Sequence, residues 1–384
     1  FRSRDATAHG PIAPQPVSRL RAAMGDFDRP QSEDCLTLTI ATPATTGARP
    51  VIVWLHGGAY FTGAGSLDWY DGAHLARDGE AVFVAVNYRL GALGLLQLPG
   101  VAEGNMALLD MIAALRWVQV NIAAFGGDPG RVTLIGQSAG AHAIMLLLTR
   151  PDTLGLFHRA ILQSPPPPMA PHSAALATDY AEFTMRLLDT TPEGLRTQPI
   201  PRLLDAQMQL ARAIARFADI APPFMPVSDA CADPATFIAE AAAAAAARRL
   251  PLIIGTTRDE MAAFFAADPT PPDPNAVAAR FAELTGDAAA IELYRRRRPG
   301  GSVAQLLGDL VTDHLFLFPS IALADAATQA GAQVWLYQFD WHPPGNPFAA
   351  CHCIDLPLTF GTEWPGAAML EGADPAQAAA LSTA

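Results

Sequence analysis

The pentapeptide Gly136-Gln137-Ser138-Ala139-Gly140 joins a strand-like apolar run, Val132 to Ile135, to a helix-like run, Ala139 to Leu148. A serine that turns the chain from strand to helix within one residue is forced into a strained backbone conformation. The strain costs about 1–3 kcal/mol and projects the hydroxyl out of the turn. Flanking glycines leave room for that turn, so Ser138 is a candidate nucleophile; a plain surface-turn serine is the competing reading. A serine hydroxyl attacks only when a base removes its proton and a third group holds that base in the right tautomer. In a parallel sheet that uses this turn, the acid and then the histidine follow the serine along the chain. Of nine histidines, only His314, His342 and His352 lie after a plausible downstream acid. His314 falls within a helix-like segment, Gln305 to Leu317, which favours a core or surface role. His342 and His352 both follow the apolar run Val334 to Phe339, and the residues alone choose neither. The run Leu252 to Gly255 leads into Thr256-Thr257-Arg258-Asp259-Glu260, where either carboxylate could serve. Acyl transfer also needs N–H donors aimed at a developing oxyanion. His56-Gly57-Gly58-Ala59, directly after the run Val51 to Leu55, supplies side-chain-free backbone for that purpose, and the Ala139 N–H is a further donor.

These residues need a scaffold that holds distant segments at one place. Short apolar runs recur at Leu36 to Ala41, Val51 to Leu55, Ala81 to Asn87, Val132 to Ile135, Ala160 to Gln163, Leu252 to Gly255 and Val334 to Phe339. Most are continuous, as expected of strands covered on both faces. Helical stretches separate them, among them Asn105 to Phe125, with Leu108, Met111, Ile112, Leu115, Val118 and Ile122 at helical spacing. The alternation predicts an α/β fold with a mostly parallel central sheet, one domain over 1–384. Residues 165–249, with the proline run Pro165 to Pro168 followed by alanine-rich helical sequence, read as a helical excursion from that sheet. The first thirty residues, broken by Pro11, Pro14, Pro16 and Pro30, read as irregular surface chain.

With 384 residues and 51% hydrophobic composition the chain can bury a large core. A net charge of −12 argues against nucleic acid and anionic membrane as partners, because both select basic surfaces. The basic run Arg295 to Arg298 reads as a solvated helix end, and Ala241 to Ala247 is too short to cross a bilayer. Four cysteines, at 35, 231, 351 and 353, are too scattered for a disulfide framework and point to a reduced, cytoplasmic compartment, although the chain begins at Phe1 and not at methionine. Cys351-His352-Cys353 has no second ligand pair to complete a metal site, so neither a metal nor another cofactor is expected.

Taken together, several blocks make the chain resemble the type-B carboxylesterases, the bacterial para-nitrobenzyl esterases and their cholinesterase-related kin. They are Ser32-Glu33-Asp34-Cys35-Leu36, Val53-Trp54-Leu55-His56-Gly57-Gly58-Ala59, Asn87-Tyr88-Arg89, Gly104-Asn105, Asn121-Ile122 with Phe125-Gly126-Gly127-Asp128-Pro129, the serine turn, Ala160-Ile161-Leu162-Gln163-Ser164, and Leu356-Pro357 with Phe360-Gly361. The resemblance implies an α/β-hydrolase fold and hydrolysis of small-molecule esters. It matches the nucleophile to Ser138, the acid to Glu260 and the base to His352, with oxyanion donors on the backbone of Gly58, Ala59 and Ala139. It also exposes departures. Gln137 stands where such enzymes usually carry glutamate, so a negative charge beside the histidine is missing; the acid limb of a pH–rate profile is then expected lower than in a glutamate-bearing relative. Met261 and Pro165 replace glycines and alter the pocket's shape. Cys35 matches a cysteine that many animal members hold in a disulfide, but no upstream cysteine exists here to pair with it. The resemblance further implies additional chain before Phe1 and after Ala384, without which one sheet edge loses apolar cover and solubility or stability suffers. The alternatives are an inactive cholinesterase-like interaction module, and an amidase or carbamate hydrolase using the same triad.

Overall fold

The computed structural model describes residues 6–266 and 270–383. Phe1–Asp5, Ala267–Pro269 and Ala384, which the sequence reading includes in its domain, lie outside the described residues. Nine strands are present among the described residues: β1 (Leu38–Ala41), β2 (Arg49–Leu55), β3 (Val82–Val86), β4 (Gln97–Leu98), β5 (Ala102–Glu103), β6 (Gly127–Gln137), β7 (Arg159–Gln163), β8 (Leu252–Thr257) and β9 (Val334–Phe339). Seven form one sheet in the order β1-β3-β2-β6-β7-β8-β9, and β4 and β5 make a separate antiparallel ribbon. Only β1 runs antiparallel, against β3; every other pairing in the large sheet is parallel.

Both faces of the central strands are buried, and the pleat sorts their side chains. Val51, Val53 and Leu55 of β2 and Val82, Val84 and Val86 of β3 enter one core, while Trp54, Phe83 and Ala85 enter another on the opposite face. Continuous apolar runs therefore answer to two covered faces. The first face carries α1 (Met106–Asn121), α2 (Ala139–Thr149) and α5 (Pro234–Ala247). On the second face Trp54 packs against Tyr70 and Phe360, with ring centroids at 5.1 and 4.9 Å. Phe360 lies eight residues beyond His352, so this aromatic cluster also anchors the chain that delivers the histidine.

Helices α3 (Ala174–Leu188) and α4 (Ile200–Ile214) occupy the stretch expected to leave the sheet. The next helix, α5, buries Phe237, Ala241, Ala242 and Ala245 in the same core that takes Ala181 and Leu188 of α3 and Leu203 and Leu210 of α4. Further on, α6 (Val303–Thr312) runs through one π-helical turn, Asp313–Leu317, into α7 (Phe318–Gln329). The edge strand β9 is less covered, with Trp335 and Leu336 56% and 46% exposed.

One expectation is corrected near the start of the chain. Among the described residues, the proline-broken segment is not loose surface chain: Ile12 pairs with Gln31 in an isolated bridge, Ile12 and Ala23 are fully buried, and Arg21–Met24 forms a helical turn. Proline excludes regular ladders, but it does not prevent apolar side chains from packing.

Candidate active site

Strand β6 ends at Gln137, and α2 begins at Ala139, so Ser138 alone makes the turn. Its φ of 55° and ψ of −118° are strained values for a residue with a side chain. The turn is held by Ser138 N–H donating to Gln163 O at 2.9 Å and by His142 N–H donating to Ser138 O at 2.9 Å. Both neighbouring glycines are required by close approach: a Cβ on Gly140 would meet Leu55 O at 2.0 Å, and one on Gly136 would meet Gly140 C at 2.6 Å. The helix can thus start only where β2 and β6 end.

The two loops that bring Glu260 and His352 together are laced by their backbones. Arg258 N–H donates to Phe339 O, Asp259 N–H to Ala350 O and His352 N–H to Glu260 O, at 3.0, 2.9 and 3.1 Å. His352 Nδ1 lies 2.5 Å from Glu260 Oε2, while Glu260 Oε1 accepts from Thr257 N–H at 2.8 Å. Glu260 is 0% and His352 1% exposed, so this contact is shielded from water. Asp259 is spent elsewhere. It pairs with Arg298 and Arg258 at 2.5 and 3.0 Å. Burial by itself would raise its carboxyl, but those hydrogen bonds and charges hold it below the ordinary value. His342 Nδ1 meets Pro343 O, and His314 is exposed, so neither approaches Glu260.

With Nδ1–H donated to the carboxylate, the neutral His352 ring presents a lone pair at Nε2. That nitrogen meets Gln137 Nε2 at 2.9 Å. No hydrogen bond within 3.5 Å joins the Ser138 hydroxyl to His352 among the described residues. Phe316, on the π-helical turn, and Phe264 flank the ring at 5.1 and 5.8 Å. Behind it Asp355 is buried, its Oδ2 accepting from Gln163 Nε2 at 2.9 Å while Oδ1 has no hydrogen-bond partner among the described residues. Burial, and then the nearby negative charge of Glu260, push its carboxyl up to about 6.

After β2 the chain folds into a tight loop in which Gly58, Ala59 and Tyr60 take φ of 111°, 56° and 56°. A Cβ on Gly58 would meet Thr62 O at 2.0 Å. Among the described residues, the N–H groups of Gly58, Ala59 and Ala139 donate to no protein acceptor. His56 supports the loop from below, Nδ1 meeting Gly57 O at 2.7 Å and the ring stacked on Tyr88 at 4.2 Å; burial pushes its pKa down to about 4.

Ser138, His352, Gly58 and Ala59 all line one cavity of about 630 Å³. Its outer wall comes from two places: α4 with the loop after it, including Met208, Ile214 and Met225, and the segment Val17–Leu20 with Met24 and Phe27. The second group escaped the sequence reading. Its apolar residues sit among prolines without periodicity, so the only available signal was their presence in a segment otherwise read as loop.

The carboxylesterase family model matches residues 1–376. The chain is 44% identical over 375 residues to a probable N-octanoylanthranilate hydrolase of Rhodococcus erythropolis, covering 95% of this chain and 77% of that protein. It is 40% identical over 369 residues to the para-nitrobenzyl esterase of Bacillus subtilis, covering 93% and 73%. Among solved structures, the Geobacillus stearothermophilus carboxylesterase EST55 superposes with a TM-score of 0.83 at 34% identity, covering 99% of this chain and 78% of that one.

Proposed function

Because the chain belongs to the carboxylesterase family, and so hydrolyses carboxylic esters on an α/β-hydrolase fold, we propose that Ser138 is its nucleophile, His352 its base and Glu260 the acid. The observation that carries this reading is the buried 2.5 Å contact of His352 Nδ1 with Glu260, which leaves Nε2 as the acceptor at the floor of a cavity that Ser138 also lines. Glu260 holds the imidazole in the Nδ1–H tautomer and stabilises the imidazolium.

In the first half-reaction Ser138 Oγ attacks the ester carbonyl carbon as its proton passes to His352 Nε2. The Gln137 amide gives up Nε2 at that step, since one lone pair cannot serve both groups. The carbonyl oxygen becomes an oxyanion facing the Gly58, Ala59 and Ala139 amides, donors that need no reorganisation because they have no other partner among the described residues. Collapse of the tetrahedral species breaks the C–O bond, the alcohol leaves with the proton from Nε2, and an acyl-enzyme remains. Water, deprotonated by His352, then attacks the acyl carbon and releases the carboxylic acid, restoring Ser138.

The cavity supports a substrate with a sizeable apolar group, because Met24, Phe27, Met208, Ile214 and Met225 all face it. A panel of p-nitrophenyl esters of increasing acyl length, assayed on the chain and on Ser138→Ala, tests both points. Hydrolysis should vanish in Ser138→Ala, and mass spectrometry should find one organophosphonate adduct on Ser138. Undiminished turnover by Ser138→Ala ends the serine mechanism. The inactive-module alternative finds no support, since the relatives are named as hydrolases and esterases.

A further inference from the structure

The oxyanion loop is strained, and something must hold it. Ala59 and Tyr60 are consecutive non-glycine residues at φ of 56°, each costing about 1–3 kcal/mol, and such backbone persists only where its surroundings over-determine it. Part of the hold is backbone: Gly91 N–H donates to Tyr60 O at 2.7 Å, and Phe61 and Thr62 N–H donate to Gly58 O at 2.9 and 3.0 Å. The rest passes through a side chain that the catalytic steps do not use. His142, in the first turn of α2, is fully buried. Its Nδ1 lies 2.8 Å from the Tyr60 hydroxyl, and its Nε2 lies 2.7 Å from the Met169 carbonyl. A carbonyl can only accept, so Nε2 carries the proton, Nδ1 is the acceptor and Tyr60 O–H donates. Burial pushes the pKa of His142 down to about 4, which keeps the ring neutral and this donor pattern intact. Through its own N–H the same residue is bonded to Ser138 O. One imidazole therefore ties together the oxyanion loop, the nucleophile's helix and, at Met169, the cavity wall.

We propose that His142 and Tyr60 are positioning residues for the oxyanion hole, setting where the Gly58 and Ala59 amides stand relative to Ser138. This rests on the reading of those amides as oxyanion donors. The geometry argues for more than structural support. The Tyr60 hydroxyl reaches across to α2 from the residue next to Ala59, so its loss frees the donor loop from the helix that carries the nucleophile.

Tyr60→Phe keeps the ring and deletes the one donor. Expected is a fall in kcat of about tenfold with KM within twofold, below the ~10²–10³ that loss of an entire oxyanion donor brings. Affinity for an aryl trifluoromethyl ketone, which adds to Ser138 and generates the oxyanion, should fall in proportion to kcat, whereas affinity for the corresponding non-electrophilic alcohol should not change. His142→Leu should show the same loss. His142→Gln, which retains an acceptor for Tyr60 and a donor for Met169, should recover most of it.

A cooperatively melting Tyr60→Phe with kcat within twofold of the unaltered protein overturns the proposal. So does a deficit expressed in KM, or ketone affinity that stays constant while kcat falls. If Tyr60→Phe does not fold, Tyr60→Phe/His142→Leu, which removes the Nδ1 acceptor that the single variant leaves unpartnered, is judged by the same criteria. Ser138→Ala in the same assays separates the two levels: full activity there removes the serine reading, whereas an inactive Ser138→Ala beside a normal Tyr60→Phe removes only the positioning role.

Discussion

At the floor of the cavity, Ser138, Glu260 and the Gly58 loop stand directly on the C-terminal ends of β6, β8 and β2. At its wall, Val17, Leu20, Met24 and Phe27 hang from a proline-broken segment, and Met208 and Ile214 from a helix outside the sheet. The floor is polar and buried, and its backbone takes values that only glycine or a strained residue adopts. The wall is mostly apolar and partly exposed, although Arg19, Arg216 and Asp219 also line it, and no particular residue is demanded by its backbone. Chemistry needs atoms fixed to fractions of an ångström, which parallel strand ends supply. A wall needs only to exclude water and match a shape, a demand that many apolar sequences satisfy.

The contrast breaks most sharply at the floor if neighbouring carboxylates prove interchangeable. Glu260→Gln should lower kcat by about 10³–10⁴-fold by releasing the histidine tautomer while leaving the fold cooperative. Asp259→Asn breaks a partly exposed charge cluster with Arg298 and Arg258, and should cost about 1–3 kcal/mol of stability while the folded fraction turns over within threefold of the parent. Steady-state rates paired with denaturant melts decide it; equal kinetic losses from both variants would refute the assignment.

Next in size is Gly58→Ala. Its Cβ is driven into Thr62 O and its φ is unfavourable, so kcat should drop about 10²–10³-fold as the loop's N–H groups shift. Normal turnover by a folded Gly58→Ala would mean that the floor tolerates what the wall does.

Asp355 tests the floor through stability. Its carboxyl is raised from 3.8 to about 6, so between those values the unfolded chain ionises while the folded one stays protonated. Stability is lost as pH rises through that window, on the order of 3 kcal/mol at 1.36 kcal/mol per unit. Asp355→Asn, which cannot ionise, should therefore be the more stable protein above pH 6, and the gap should close towards pH 4. Calorimetric melts at pH 4, 6 and 8 that show the reverse trend would sink this account.

Changes at the wall should be milder and selective. Leu20→Trp should reduce kcat/KM for p-nitrophenyl octanoate about tenfold while the acetate changes less than threefold, because one side chain in an apolar pocket alters binding by only ~1–3 kcal/mol. Equal losses for both esters would place Leu20 with the machinery of the floor. The smallest effect is expected at Gln137. Gln137→Glu puts a negative charge beside the histidine, favouring the imidazolium and moving the acid limb of kcat/KM up by about one pH unit. A limb that stays put or moves down would remove electrostatics as the meaning of this glutamine.

Floor and wall also differ in how far the sequence discloses them. The strands after which chemistry occurs were legible because two covered faces leave continuous apolar runs; Ala81 to Asn87 brackets β3, whose five residues are all buried. The serine turn and the glycine pair were legible because their geometry is local, demanding small residues next to one another. The wall left no such trace, since shape complementarity has no period. His142 was equally silent, as a histidine inside an apolar helix reads as ordinary core until its partners are known.

What the sequence alone determined is therefore the class of fold and the short-range devices, the Ser138 turn and the Gly57-Gly58-Ala59 backbone, because each depends on residues within a few positions of one another. It also supplied two tied pairs, Asp259 with Glu260 and His342 with His352, which only the family resemblance separated. Tertiary structure decided their fates: Arg298 claims Asp259 from 39 residues away, His352 meets Glu260 across 92, and Gln137 reaches His352 across 215. The physical reason is that hydrogen bonds and ion pairs are set by distances of a few ångströms in space, which chain separation does not encode until the sheet has brought its strand ends together.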